Sequence, residues 1–122
     1  MTRSLIVEAD GGSRGNPGPA AYGAVVRDAA TGMVLAELAE YLDTVTNNVA
    51  EYRGAIAGLR EAWAIDPAAN VEVRLDSKLI VEQMSGRWQV KHPSMRELAR
   101  EARDVFAPGQ VSYTWVPREK NK

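Results

Sequence analysis

The 122 residues make one domain, and their 15 basic and 16 acidic side chains leave a formal charge of −1 with no cysteine and a single histidine, His92. This composition excludes disulfides, thiolate catalysis, thiolate-bound zinc and any His-rich metal centre, so a metal here is held by oxygen and is magnesium or manganese in kind. No run approaches the roughly 20 apolar residues of a membrane span, and the N-terminus lacks a secretory apolar block; the expectation is a cytoplasmic protein without membrane partners.

Ser4 to Asp10 alternate as a first strand, predicted over residues 3–10, with Asp10 at its end. The glycine- and proline-rich stretch "DGGSRGNPGPAAYG" follows and reads as a bend that another molecule can approach closely. A second strand is predicted over 21–27, a turn at "DAATG", and a third strand over 33–42. The period then changes: Val49, Tyr52, Ile56, Leu59 and Trp63 recur at steps of three and four, giving a helix of about four turns with small companions at Ala55, Gly58 and Ala62. Val71, Val73 and Leu75 alternate in a fourth strand that ends at Asp76, and "SKLIVEQM" forms a short helix. A further helix is predicted to open at Ser94, with Glu97 three residues on as a capping box, and Val111, Tyr113 and Trp115 mark a fifth strand. The order β-β-β-α-β-α-α-β, with right-handed crossovers, makes the later strands parallel to the first. Trp63 and Trp115 are assigned to the core, and His92 to solvent.

Asp10 and Asp76 each close a strand, and Glu51 falls in the first turns of the first helix after "TVTNN". If the helix carries the chain to a fourth strand beside the first, the three acids meet at one sheet edge. Each has a local alternative: Asp10 can shape an Asp-Gly turn, Glu51 can complete a capping box with Asn48, and Asp76 can cap the helix at Ser77. Taken together the local roles explain less, because three gathered carboxylates repel unless a cation lies between them. Paired magnesium ions roughly 4 Å apart would activate a water and stabilise a leaving oxygen.

The four ordered motifs, Asp10 in "DGGSRGNPGPAAYG", Glu51 in "TNNVAEYRGAIAGL", Asp76 in "VRLDSKLIVEQMSGRWQVKHP" and the late "YTWVPREKN", make the chain resemble type 1 ribonuclease H in its compact bacterial and archaeal form, which lacks a basic handle. The resemblance spans residues 1–122 and implies a ribonuclease H-like α/β fold. That fold has a five-stranded mixed sheet, three strands antiparallel and then two parallel, flanked by helices. The implied activity is endonucleolytic cutting of the RNA strand of an RNA/DNA hybrid to 3′-hydroxyl and 5′-phosphate ends, with two Mg2+ ions, Mn2+ being an alternative. By motif, Asp10 bridges both ions, while Glu51 and Asp76 hold the ion on the leaving-group side. Ser13, Asn16 and Asn47 match readers of 2′-hydroxyls and minor-groove edges, and Thr46 and Asn48 a pocket for a phosphate of the DNA strand; "TNN" also suits a helix cap. Lys78 stands where relatives often carry Gln and offers a phosphate contact, and Trp88 and Lys91 offer stacking and charge beside the DNA strand, core burial being the alternative for Trp88.

The family's fourth acid, an Asp on a last helix beyond "REKN", is not in this sequence, which stops at Lys122. The expectation is a polypeptide that lacks the last helix, binds one ion well and cuts slowly or not at all, whereas a version extended through that helix cuts well. A monomer is expected, with a further C-terminal domain in the complete protein left open. Two rivals remain: a non-enzymatic hybrid-binding module, and another nuclease of the same fold such as a proofreading exonuclease or strand-transfer enzyme. Residues 1–85 carry a net −5 and residues 86–122 a net +4, so positive charge available to a polyanion is concentrated late in the chain.

Overall fold

The computed structural model describes residues 2–117. The strands are β1 (Ser4–Ser13), β2 (Gly18–Asp28), β3 (Val34–Val45), β4 (Asn70–Leu75) and β5 (Val111–Trp115); the helices are α1 (Asn47–Ile65), α2 (Lys78–Met84) and α3 (Pro93–Asp104). They follow the predicted order. One sheet runs β3-β2-β1-β4-β5, with β1–β2 and β2–β3 antiparallel and β1–β4 and β4–β5 parallel. The "REKN" stretch lies outside the described residues.

Alternation along β1 and β4 turns Leu5, Val7, Ala9, Val71, Val73 and Leu75 into the core. There they meet α1, which lies over β1 at backbone distance. A Cβ on Gly58 would lie 2.4 Å from Val7 Cγ1, and one on Gly11 would lie 2.5 Å from the carbonyl carbon and oxygen of Ala50. The side-chain-free positions on both partners are what let the helix descend onto the strand.

Three local expectations are corrected. β1 does not stop at Asp10: Gly11, Gly12 and Ser13 continue the antiparallel ladder opposite Tyr22, Ala21 and Ala20, because cross-strand pairing outweighs the weak strand preference of glycine. On its other side the parallel ladder to β4 ends at Glu8 opposite Arg74, so Asp10 is a terminal residue only with respect to β4. α3 begins at Pro93 with His92 as its N-cap and no side-chain cap bond; proline's fixed φ and missing N–H suit the first helical position, and Ser94 Oγ instead lies 2.9 Å from His92 Nδ1. His92 itself is exposed, as expected.

The third correction concerns tryptophan. Trp63 and Trp115 are about half exposed rather than core. The buried stripe of α1 runs through Ala55, Gly58, Leu59 and Ala62, which rotates Trp63 toward Arg60 and Val105 at the flank. Burial of the ring in the middle of the interface would hold α1 away from β1. No helix among the described residues is long and apolar enough to cross a membrane.

Candidate active site

Glu51 enters the site because of how α1 starts. Thr46 is the N-cap, its hydroxyl accepting from the Val49 N–H at 3.3 Å, so the Asn48–Glu51 capping box does not form. One turn on, Ala50 touches Gly11, and Glu51 is carried against β1, where its Oε1 accepts a hydrogen bond from the Gly11 N–H at 3.1 Å. α2 likewise is capped by Ser77, which accepts from the Ile80 N–H. Asp76, one residue before that cap, is not the residue that caps α2.

Carboxylate oxygens of Asp10, Glu51 and Asp76 lie within 4.8 Å of one another. Their environments differ: Asp10 is exposed, Asp76 half-buried, and Glu51 only 4 % exposed. Burial, reinforced by the negative charges of Asp76 and Asp10, pushes the Glu51 carboxyl up to about 8, with the Gly11 N–H acting in the opposite direction. Glu51 Oε2 is buried without a hydrogen-bond partner. An anionic oxygen in that position is costly unless a cation meets it. Three carboxylates from three elements are the donor set of a hard divalent ion, and the unsatisfied Oε2 fits such an ion.

The polar residues singled out in the sequence divide into two groups. Ser13, Asn16 and Asn47 form one hydrogen-bonded unit joining the β1–β2 connection to α1. Asn47 Oδ1 accepts from the Ser13 N–H at 2.7 Å and the Ser13 hydroxyl at 3.0 Å, and Asn16 Oδ1 accepts from the Asn47 N–H at 3.0 Å. Ser13, Asn47 and Asn48 line the same cleft as Glu51 and Asp76. Thr46 serves as the helix cap, while Lys78, Trp88 and Lys91 are exposed and outside that cleft.

Trp115 has a role the sequence did not disclose. Its indole N–H donates to the Asp76 carbonyl oxygen at 3.2 Å, and Lys78 Nζ stands 5.5 Å from its ring centroid. The last residue of β5 thus holds the backbone that carries Asp76 and gives the Lys78 ammonium an aromatic face. The only available signal was the parallel register, which sets Trp115 beside Leu75.

A family model described as reverse transcriptase-like matches residues 8–122. The chain is 41% identical over 114 residues to ribonuclease HI of Halobacterium salinarum, covering 93% of this chain and 56% of that protein. The chain belongs to the ribonuclease H family. Within that family it is 53% identical over 118 residues to the bifunctional protein Rv2228c of Mycobacterium tuberculosis, covering 96% of this chain and 32% of the relative. The solved N-terminal RNase H domain of that protein superposes with a TM-score of 0.91 at 52% identity, covering 98% of this chain and 86% of that one. LC11-RNase H1, solved in complex with an RNA/DNA hybrid, gives a TM-score of 0.88 at 38% identity and covers 96% and 88% of the two chains. The chain therefore spans about a third of Rv2228c and just over half of the halobacterial enzyme. The family's five-stranded mixed sheet, three strands antiparallel and two parallel, is the one described above.

Proposed function

We propose that the domain is a metal-dependent endonuclease that hydrolyses the RNA strand of RNA/DNA hybrids, leaving 3′-hydroxyl and 5′-phosphate ends. The observation that carries this reading is the junction of Asp10, Glu51 and Asp76 within 4.8 Å, with Glu51 Oε2 buried and without a hydrogen-bond donor. Family membership supports it, as does the hybrid complex of LC11-RNase H1.

Asp10, Glu51 and Asp76 would hold magnesium or manganese, which when bound would polarise a water and neutralise charge on the leaving oxygen. The chain's residues do the rest. Asp10 projects from a strand stiffened by its antiparallel neighbour, which fixes one ligand before substrate arrives. The Gly11 N–H donates to Glu51 Oε1 and so fixes the orientation of the carboxyl that would hold the ion. Gly12, exposed beside the acids, carries no side chain there, so a ribose-phosphate backbone can approach. Ser13, Asn16 and Asn47 carry the donors and acceptors suited to a 2′-hydroxyl, the group that separates RNA from DNA. Thr46 and Asn48 at the start of α1 are assigned to a phosphate of the DNA strand, and Lys78, Trp88 and Lys91 to its flank.

The test is cleavage of an end-labelled RNA/DNA hybrid by the complete protein, with magnesium present or chelated. Cutting confined to the RNA strand, absent on a DNA/DNA duplex and lost in Asp10→Asn while hybrid binding persists, is the expected result. Binding without magnesium-dependent cleavage in the complete protein would instead identify a hybrid-binding module.

A further inference from the structure

The cleft into which Glu51 and Asp76 face, about 1120 Å³, does not end at α1. It continues across β1 and β2 to the edge strand, where Tyr41 and Leu42 form its far wall beside Arg14. Tyr41 is 92 % exposed, the most exposed large apolar side chain among the described residues. Trp63 and Trp88 are also exposed but do not line this cleft, so position rather than exposure singles Tyr41 out.

Strand register shows what lies between. Gly12, Ala21 and Tyr41 stand opposite one another in one cross-strand row, and Asp10, Gly23 and Ala39 form the adjacent row. Residues paired this way share a face, and alternate positions on one strand do too. Asp10 and Tyr41 therefore stand on the same side of the sheet, separated by Gly12, Ala21, Gly23 and Ala39. Nothing in that interval is larger than a methyl group. With neighbouring strands about 4.8 Å apart, Tyr41 stands roughly 10 Å from the β1 backbone. At one end of this floor is Asp10, whose carboxylate lies with those of Glu51 and Asp76; at the other is an amphipathic ring with nothing packed over it.

We propose that Tyr41 is a substrate-positioning residue that grips the sugar-phosphate backbone of the hybrid across this flat floor, a few nucleotides from the phosphate held at Asp10, Glu51 and Asp76. The inference rests on the ribonuclease H reading and extends its binding surface onto β3. A double helix keeps its base faces stacked, so the ring meets a ribose rather than a base, and its hydroxyl reaches a phosphate or 2′-hydroxyl. Arg14 on the same wall supplies the positive charge that a phosphate contact favours.

The experiment measures binding of two fluorescent RNA/DNA hybrids without magnesium, one long enough to reach from the acidic cluster to Tyr41 and one too short to do so. Tyr41→Ala is expected to weaken the long hybrid about fivefold and leave the short one unchanged, while Tyr41→Phe retains most of the affinity. An unchanged urea midpoint for Tyr41→Ala shows that the fold is intact. Equal affinity of wild type and Tyr41→Ala for the long hybrid, or an equal loss on both hybrids, overturns the role of Tyr41 and leaves the nuclease reading standing. Failure of the wild type to bind either hybrid overturns both.

Discussion

Replacing Glu51 by glutamine tests the acidic cluster without substrate. In the metal-free protein the buried carboxyl is raised from an ordinary 4.5 to about 8, so between those pH values the folded state holds a proton that the unfolded chain has lost. Stability must therefore fall as pH rises through that window, then level off above it. At about 1.4 kcal/mol per pH unit, the ceiling on this loss is about 5 kcal/mol. Relaxation of Asp10 and Asp76 and entry of water reduce it, and a fall of about 2–3 kcal/mol is expected. The assay is urea unfolding in EDTA at half-unit steps from pH 5 to pH 9. Glu51→Gln, which keeps shape and cannot ionise, should remove most of the slope and be the more stable protein at pH 8.5. Magnesium should raise wild-type stability at pH 8.5 much more than that of the variant, since binding to the folded state alone is stabilising. A wild-type profile flat across the window, or a variant profile parallel to it, would refute the reasoning.

Two further substitutions examine how the cluster is held. Gly11→Ala would drive a methyl group to 2.5 Å from the Ala50 carbonyl; it should cost about 2 kcal/mol or more in urea unfolding and, by lifting α1 off β1, weaken manganese binding measured by calorimetry. Trp115→Phe removes the indole donor to Asp76 and keeps an aromatic face for Lys78. Calorimetry should show magnesium affinity lowered about fivefold, with a urea midpoint close to wild type because the ring is half exposed.

Much of this architecture was legible from residue pattern. Val71, Val73 and Leu75 alternate strictly, and that alternation placed β4, its inward face and Asp76 together. Asp10, Glu51 and Asp76 could be joined because they lie on β1, in the first turns of α1 and just past β4, elements whose order dictates a parallel crossover. What stayed hidden depends on partners distant in sequence. "GGS" after Asp10 has the composition of a bend and becomes strand only because β2 lies opposite. Trp63 has the right period for the core, but the closest approach of α1 to β1 requires glycine and alanine, so the large ring is displaced. The contact of Trp115 with Asp76 joins residues 39 positions apart through a peptide carbonyl, and side-chain type carries no trace of that.

The unequal ladders of β1 have a mechanical consequence. On the β2 side pairing runs through Ser13, and on the β4 side it ends at Glu8. The hairpin bearing Asp10 is thus an anvil, and the β4–α2 junction bearing Asp76 is the adjustable jaw. Any give within the cluster therefore falls on the jaw, where the Trp115 indole N–H donates to the Asp76 carbonyl from the end of β5.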